Sequence, residues 1–559
     1  MARGSVYRDY SPSGRGRSRR RRTAVAAVVA PVALAGAGFW AYTTLVVHPE
    51  DSQVRAATER FQGFLDAWEA GAAQRAGTYT GTPAYAESLI TSVMTNLKPS
   101  KTELRALKGT RRGSREVRIP FTVAMTIPGA GRYTWESKAR LLLKQGGQGG
   151  QDKRGEWEVE FTTPLVHPEL APGQTLALQT RPRAAVLDTH GDTLRAPSIV
   201  GLVDPKSGKG VSGLEARYDR QLTGGAAGMK SVVVVNRASG RAVKGIRDHS
   251  GAKGGVPVRT TIDPRIQEAA ADALDGVQKN AAIVAVDPAT GRILAAANRP
   301  GGMNRALEGR YPPGSTFKVI TATALLKAGM RPADPVDCPV FAHVNGQRFE
   351  NHGRFGLPGG ATLTDAFARS CNTFFVNART KLKDASLHDT AQAFGIGGGP
   401  WDVGVATYDG SVPVAGSDND KAAATIGQAR VQASPLVMAS VAATVKDGTF
   451  RQPLLVPAAV KHKHHAAERL SPSVLSALRG MMRATVTEGT ARVLRDVPGE
   501  AHAKTGTAEY GDQNPPRTHA WMIGYQGKRN LAWAVFIEDG GSGGADAGPV
   551  AARFLKTVG

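Results

Sequence analysis

A chain of 559 residues with 41% hydrophobic content has room for roughly three or four domains and is too polar for a polytopic membrane protein. Its formal charge of +24 suits an anionic surface such as membrane or wall polymer, or simply solvated basic faces. No basic helix interleaved with aromatics appears, so nucleic acid is not expected as a partner, and two cysteines, Cys338 and Cys371, make neither a disulfide framework nor a metal cluster.

Residues 1–22 carry eight arginines against Asp9, a net +7. Thr23 to Val47 follows without a charge and is long enough to span a bilayer. The positive flank predicts a cytoplasmic N-terminus and an extracellular remainder. Ala33-Leu-Ala35 resembles a signal-peptidase site, but apolar residues continue to Val47, which favours an uncleaved anchor.

Residues 48–165 read as a small α+β domain. Val54, Ala57, Phe61, Phe64, Leu65 and Trp68 recur at helical spacing, and Val117 to Ile127 alternate strictly as a half-buried strand does. Tyr133/Trp135 and Trp157/Val159/Phe161 repeat the alternation about a glycine-rich turn at 146–155. Residues 166–256, rich in Gly, Pro and Arg, read as an extended linker or pedestal with short β-like runs at 184–187 and 231–235. Residues 257–559 hold the densest helix and strand signals.

Three motifs lie in that last region. Ser315-Thr-Phe-Lys318 follows the breakers Pro312, Pro313 and Gly314 and opens an apolar helix closed by Gly329. Its serine and lysine share one helix face, a nucleophile beside a base, at an N-terminus that favours developing negative charge. Ser370-Cys-Asn372 sits between two helical patterns. Lys504-Thr505-Gly506 is followed by Thr507, and a Lys-Thr-Gly tripeptide is expected about 0.2 times by chance in a chain of this length. In this order, 55 and then 134 residues apart, the three form a specific set for acyl transfer through serine.

Other clusters carry less. Ser417-Asp-Asn419 spells a serine–aspartate–asparagine motif but reads as a turn in a polar loop, without the rigid support a catalytic pair needs. Lys206-Ser-Gly208 reads as a glycine-rich turn. His462, His464 and His465 lack metal-ligand spacing, so no metal is expected.

On these motifs, together with Thr260-Thr-Ile-Asp263, Ala285-Val-Asp-Pro-Ala-Thr-Gly291, Ile426-Gly-Gln428, Glu488-Gly-Thr-Ala491 and His519-Ala-Trp521, residues 258–559 resemble the transpeptidase domain of class B penicillin-binding proteins. The resemblance implies an antiparallel sheet flanked by helices. Residues 48–165 are similar to the NTF2-like domain of some members, and Arg183 to Pro197 to a reduced pedestal. Ala429 stands where the family usually has Gly. The N-terminal region is too short for a glycosyltransferase domain.

The resemblance implies a D,D-transpeptidase acting on stem peptides ending in D-Ala-D-Ala, inhibited by β-lactams and needing no cofactor. Ser315 would attack, Lys318 act as base and Ser370 relay a proton, while Asn372 orients. Lys504 and Thr505 would hold the substrate carboxylate, Gly506 let the strand lie against the peptide, and the Ser315 and Thr507 N–H groups stabilise the oxyanion. A separate membrane glycan polymerase and divisome or elongasome proteins are the expected partners. A membrane-anchored β-lactamase and a non-catalytic β-lactam sensor are the alternatives. Class D β-lactamases usually carry Val where Asn372 stands, and no deacylating glutamate is assignable.

Overall fold

The apolar helical spacing near the start of the folded chain is realised as α1 (Ser52–Glu69), which buries Phe61, Phe64, Leu65 and Trp68. The computed structural model describes residues 52–559 except 145–154, 182, 226, 247–253 and 514. The arginine-rich tail, the apolar stretch 23–47 and most of the turn at 146–155 therefore lie outside the described residues. Among the described residues, no helix is long and apolar enough to cross a membrane.

The described chain divides into two units. The first holds α1, α2 (Pro83–Leu97) and a sheet of β1 (Lys101–Ala106), β2 (Thr110–Arg112), β3 (Glu116–Ile127), β4 (Gly131–Leu143) and β5 (Trp157–Val159). Its strands run β1-β3-β4-β5, with β2 also on β3. Because side chains alternate across a strand, β3 buries Val117, Ile119, Phe121, Val123, Met125 and Ile127 on one face. Phe121 meets Phe61 edge-on, ring centroids 5.2 Å apart. The third expected strand stops at Val159, and Phe161 is buried beyond it against Phe64. Buried Tyr133 and Trp135 bond to His167 and to the Val166 carbonyl, so these aromatics are core.

The second unit comprises residues 178–231 and 247–559. Residues 178–231 are not an extended linker. Val186–Leu187 pairs in parallel with Val258–Arg259, and Arg183 bonds Glu215 and Asp219 at 2.5 and 2.7 Å. Leu194, Ile199, Leu214 and Leu222 join the main hydrophobic core. Enough apolar residues survive among the glycines and prolines to fold this segment onto the chain beyond residue 257.

Past it come α3 (Pro264–Leu274), β6 (Ala281–Val286), β7 (Ile293–Arg299), α4 (Lys318–Lys327), the hairpin β8 (Phe341–Val344) and β9 (Gln347–Glu350), α5 (Leu363–Ala368) and α6 (Asn372–Asn377). Then follow α7 (Asp418–Thr425), α8 (Pro435–Asp447), α9 (Pro472–Thr487), β10 (Ala501–Tyr510), β11 (Arg517–Gln526), β12 (Ala532–Ile537) and α10 (Gly548–Thr557). The central sheet is antiparallel, ordered β7-β6-β12-β11-β10, with β10 at an edge. β6 and β12 are buried along their whole length. Ile283, Trp533 and Val535 face a core with α3 and α10; Val284, Ala534 and Phe536 face one with α4 and α8. A sheet covered by helices on both faces needs such continuous apolar strands.

Ser417 corrects the expectation of a turn. Its hydroxyl accepts from Asp420 N and caps α7, which prolines do not interrupt. Asn419 on that helix bonds Val344 O and Gln347 of the hairpin, a structural tie. Lys206-Ser-Gly208 is a turn closed on Asp204. Among the described residues no His/Cys/Asp/Glu group could hold a metal, and His464 packs on Phe450. Cys338 and Cys371 form a disulfide; their separation in sequence carries no sign of that pairing.

Candidate active site

Gly314 to Phe317 forms a 3-10 turn that continues directly into α4, placing Ser315 and Lys318 one turn apart on one face. The turn is tied from several sides. Trp521 Nε1 donates to Pro312 O at 3.1 Å, Tyr311 bridges Ala433, and Gly314 N donates to Gly427 O at 3.0 Å. Gly314 lies so close to β10 that a Cβ there would sit 2.6 Å from the Thr507 carbonyl oxygen, and its φ of +53° also favours glycine.

The second motif is a helix end followed at once by a helix start. Cys371 N donates to Ala366 O and Ser370 N to Phe367 O, closing α5 in a Schellman motif. Ser370 occupies the left-handed position, φ +62°, where glycine is usual. Cys371 Sγ then caps α6 through Phe374 N. Asn351, fully buried, holds this junction: its Oδ1 accepts from Asn372 N at 2.6 Å and Thr373 N at 3.1 Å, and its Nδ2 donates to Pro339 O and Phe355 O.

The three motifs meet in a cleft of about 990 Å³. Lys318 Nζ donates to Asn372 Oδ1 at 2.6 Å and to Ser370 O at 2.9 Å, and lies 3.4 Å from Ser370 Oγ. Ser315 Oγ reaches the same Asn372 Oδ1 at 3.4 Å, and Asn372 Nδ2 is fixed on Glu350 O. Lys504 Nζ donates to Ser370 Oγ and to Thr505 O, both at 2.9 Å. Ser370 thus stands between the two amines. Thr505 Oγ1 bonds Thr490 Oγ1 at 2.6 Å, and Thr507 Oγ1 accepts from Gly543 N at 3.4 Å. Gly506 packs where a Cβ would lie 2.8 Å from Thr316 Cγ2 and 3.0 Å from Pro313 O.

Both lysines are fully buried, and among the described residues no carboxylate bonds to either. Burial disfavours the charged form. It holds Lys318 well below the ordinary lysine value, with the positive charge of Lys504 adding to the effect. Burial alone brings Lys504 to about 7. The rings of Phe375 and Phe367, 5.3 and 5.6 Å from the two ammonium nitrogens, offer the residual stabilisation of a π face. Such a site can activate a serine at neutral pH and bind a carboxylate beside it.

All eight residues singled out from the motifs, Ser315, Lys318, Ser370, Asn372, Lys504, Thr505, Gly506 and Thr507, lie in this one cluster. Asn351, Thr490 and Gly543 join them unannounced. Thr490 lies in the Glu488-Gly-Thr-Ala491 stretch, whereas no local pattern marks Asn351.

Residues 281–556 match the penicillin-binding protein transpeptidase domain, and residues 56–174 the NTF2-like N-terminal transpeptidase domain. The peptidoglycan D,D-transpeptidase PbpA of Mycolicibacterium smegmatis is 34% identical over 353 residues, 52% of this chain and 70% of that protein. The protein of the same name from Mycobacterium tuberculosis is 31% identical over 361 residues, 54% and 72% of the two chains. Penicillin-binding protein A from M. tuberculosis, solved as a ceftriaxone acyl-enzyme, superposes with a TM-score of 0.54 at 26% identity, covering 68% of this chain and 98% of that one. Pseudomonas aeruginosa PBP2, at 24% identity and a TM-score of 0.53 over 68% of this chain and 96% of that one, shares the fold. A buried serine–lysine pair in a transpeptidase domain, joined to an NTF2-like domain and to relatives of this identity, makes the chain a member of the class B penicillin-binding proteins and a serine-type peptidoglycan D,D-transpeptidase.

Proposed function

We propose that Ser315 is the residue this enzyme acylates. Its Oγ attacks the carbonyl carbon between the two terminal D-Ala residues of a stem peptide. Lys318, neutral in its buried site, takes the hydroxyl proton. The tetrahedral oxyanion is held by the N–H groups of Ser315 and Thr507, donors typically worth about 3–4 kcal/mol each in comparable sites. The proton passes through Ser370 Oγ to the departing D-Ala amine, and the C–N bond breaks to leave a serine ester. An amine from a second stem peptide then attacks the ester and restores the free serine. Lys504 and Thr505 hold the donor's terminal carboxylate, Asn372 keeps Lys318 and the substrate amide in register, and bare Gly506 admits the peptide.

The observation that carries this reading is the fully buried Lys318 amine, low in pKa and sharing Asn372 Oδ1 with the Ser315 hydroxyl. A β-lactam, resembling the donor, would acylate the same oxygen and release slowly. Solved relatives caught as ceftriaxone and imipenem acyl-enzymes support this.

Residues 23–47 form the membrane anchor in this reading, with residues 1–22 cytoplasmic and the catalytic unit outside the cell. A separate membrane polymerase, working with divisome or elongasome proteins, supplies the glycan strands. The test is labelling of the full-length chain with a fluorescent penicillin beside Ser315→Ala. A stable label on the wild type, absent from the variant, is expected. A folded wild type that takes no label, or one that sheds it rapidly with excess hydrolysed drug, would overturn the proposal.

A further inference from the structure

The free edge of β10 is shorter than the strand. In an antiparallel pair, successive residues turn their N–H and C=O alternately toward the partner and away from it. Gln428 fixes which do which. In the amide orientation that satisfies both its polar atoms, its side chain donates to Glu509 O at 3.1 Å and accepts from Glu509 N at 2.8 Å. Glu509 therefore turns both groups away from β11, and the period of two puts those of Thr507 and Thr505 on the same open edge. Thr505 O is already occupied by Lys504 Nζ. The open N–H and C=O pair that remains next to the nucleophile is that of Thr507.

Gln428 is held rigidly where it does this. Gln428 N donates to Ala423 O, Gly427 N to Ala424 O, and Gly427 O accepts from Gly314 N, each at 3.0 Å. A Cβ on Gly427 would lie 2.1 Å from Gly314 O, so this loop is pressed against the turn that carries Ser315. Both Gln428 and Glu509 face the cleft.

We infer that Gln428 is a specificity-determining residue: its amide caps β10 at Glu509, so a donor peptide gains ladder hydrogen bonds at Thr507 alone and must leave the strand at its next residue. This rests on the transpeptidase reading, in which the donor lies along β10. Recognition is then confined to the terminal D-Ala-D-Ala unit and the one acyl group before it. The rest of the stem peptide is read without the sheet, which suits donors whose upstream residues are branched or attached to glycan.

The test uses the full-length chain, D-Ala-D-lactate depsipeptide donors with one, two or three preceding residues, and D-alanine as the acceptor. In the wild type, kcat/KM is expected to level off after the first preceding residue. Gln428→Ala frees both Glu509 groups, and the ratio of longest to shortest donor should rise about fivefold for each ladder hydrogen bond gained, up to about thirtyfold for the two. Gln428→Glu keeps the acceptor for Glu509 N but loses the donor, and should fall between. A ratio unchanged in both variants, with all donors slowed equally, would overturn the cap and leave Gln428 a structural residue. Fluorescent penicillin labelling of Ser315 separates the two levels. If Gln428→Ala takes no label, Gln428→Glu alone decides. A wild type that labels but turns over no donor would count against the transpeptidase reading itself.

Discussion

Lys318 and Lys504 should impose opposite limbs on the pH profile of acylation. Nucleophile activation needs Lys318 neutral, so the second-order rate constant rises as pH climbs through its depressed pKa. Carboxylate binding needs Lys504 charged, so the same constant falls as pH climbs through about 7. Hydrogen bonds to charged groups contribute about 1.5–3 kcal/mol against about 0.5–1.5 for neutral ones. Discharging Lys504 therefore costs about 1–2 kcal/mol of binding, a drop of about five- to thirtyfold down to a plateau set by the neutral amine. The assay is the acylation rate of the full-length enzyme by benzylpenicillin and by its methyl ester, between about pH 5.5 and 9.5; because the second-order constant is followed, the limbs report the free enzyme. The ester has no carboxylate to clamp. It should keep the rising limb and lose the falling one. An alkaline fall of equal size for acid and ester would refute the assignment of Lys504 as the carboxylate clamp.

Three further substitutions separate stability from chemistry around Ser370. Ser370→Gly removes a Cβ from a φ of +62° and should be about 0.5–1 kcal/mol more stable than Ser370→Ala, which loses the same Lys504 hydrogen bond, while loss of the relay hydroxyl lowers acylation about 10²-fold or more. Ser370→Ala should show the same loss of acylation at a lower denaturant midpoint than Ser370→Gly. Asn351→Ala strips partners from two backbone N–H and two carbonyl groups in a buried site, and should cost about 3–6 kcal/mol and slow acylation more than tenfold. Chemical denaturation and penicillin labelling check both effects.

The motifs were legible because their chemistry demands fixed residue types at short spacing. A serine and a lysine one turn apart can be seen in four letters, and so can a lysine beside a glycine that lets a strand lie close. The apolar alternation of β3 and the continuous apolar runs of β6 and β12 follow from burial in the same direct way. The features that stayed hidden depend on long-range approach. Asn351 reaches Asn372 across 21 positions, the disulfide joins Cys338 to Cys371 across 33, and α7 appears where Ser417-Asp-Asn419 alone suggests a turn. Residues 178–231 read as extended because their apolar residues are spread among glycines and prolines and meet one another and the chain beyond residue 257 only in the folded state.

Ala429 lies between these cases. Its departure from the family's usual glycine is visible in the sequence, but its meaning is set by the loop. The loop carries Gln428 to Glu509 and then turns back at Ala429 with φ +58°, against the cleft. An L-residue there costs about 1–2 kcal/mol relative to glycine in the folded state. Glycine in turn costs about 0.4–1 kcal/mol through the freer unfolded chain. Ala429→Gly should therefore raise stability modestly, by about 0.5–1 kcal/mol, measured as a shift in denaturant midpoint at unchanged slope. Because the strain is local and the Gln428 amide still reaches Glu509, the dependence of kcat/KM on donor length should stay as in the wild type. A lengthened preference in Ala429→Gly would mean that the alanine, and not the hydrogen bonds of Gln428, fixes where the edge ends.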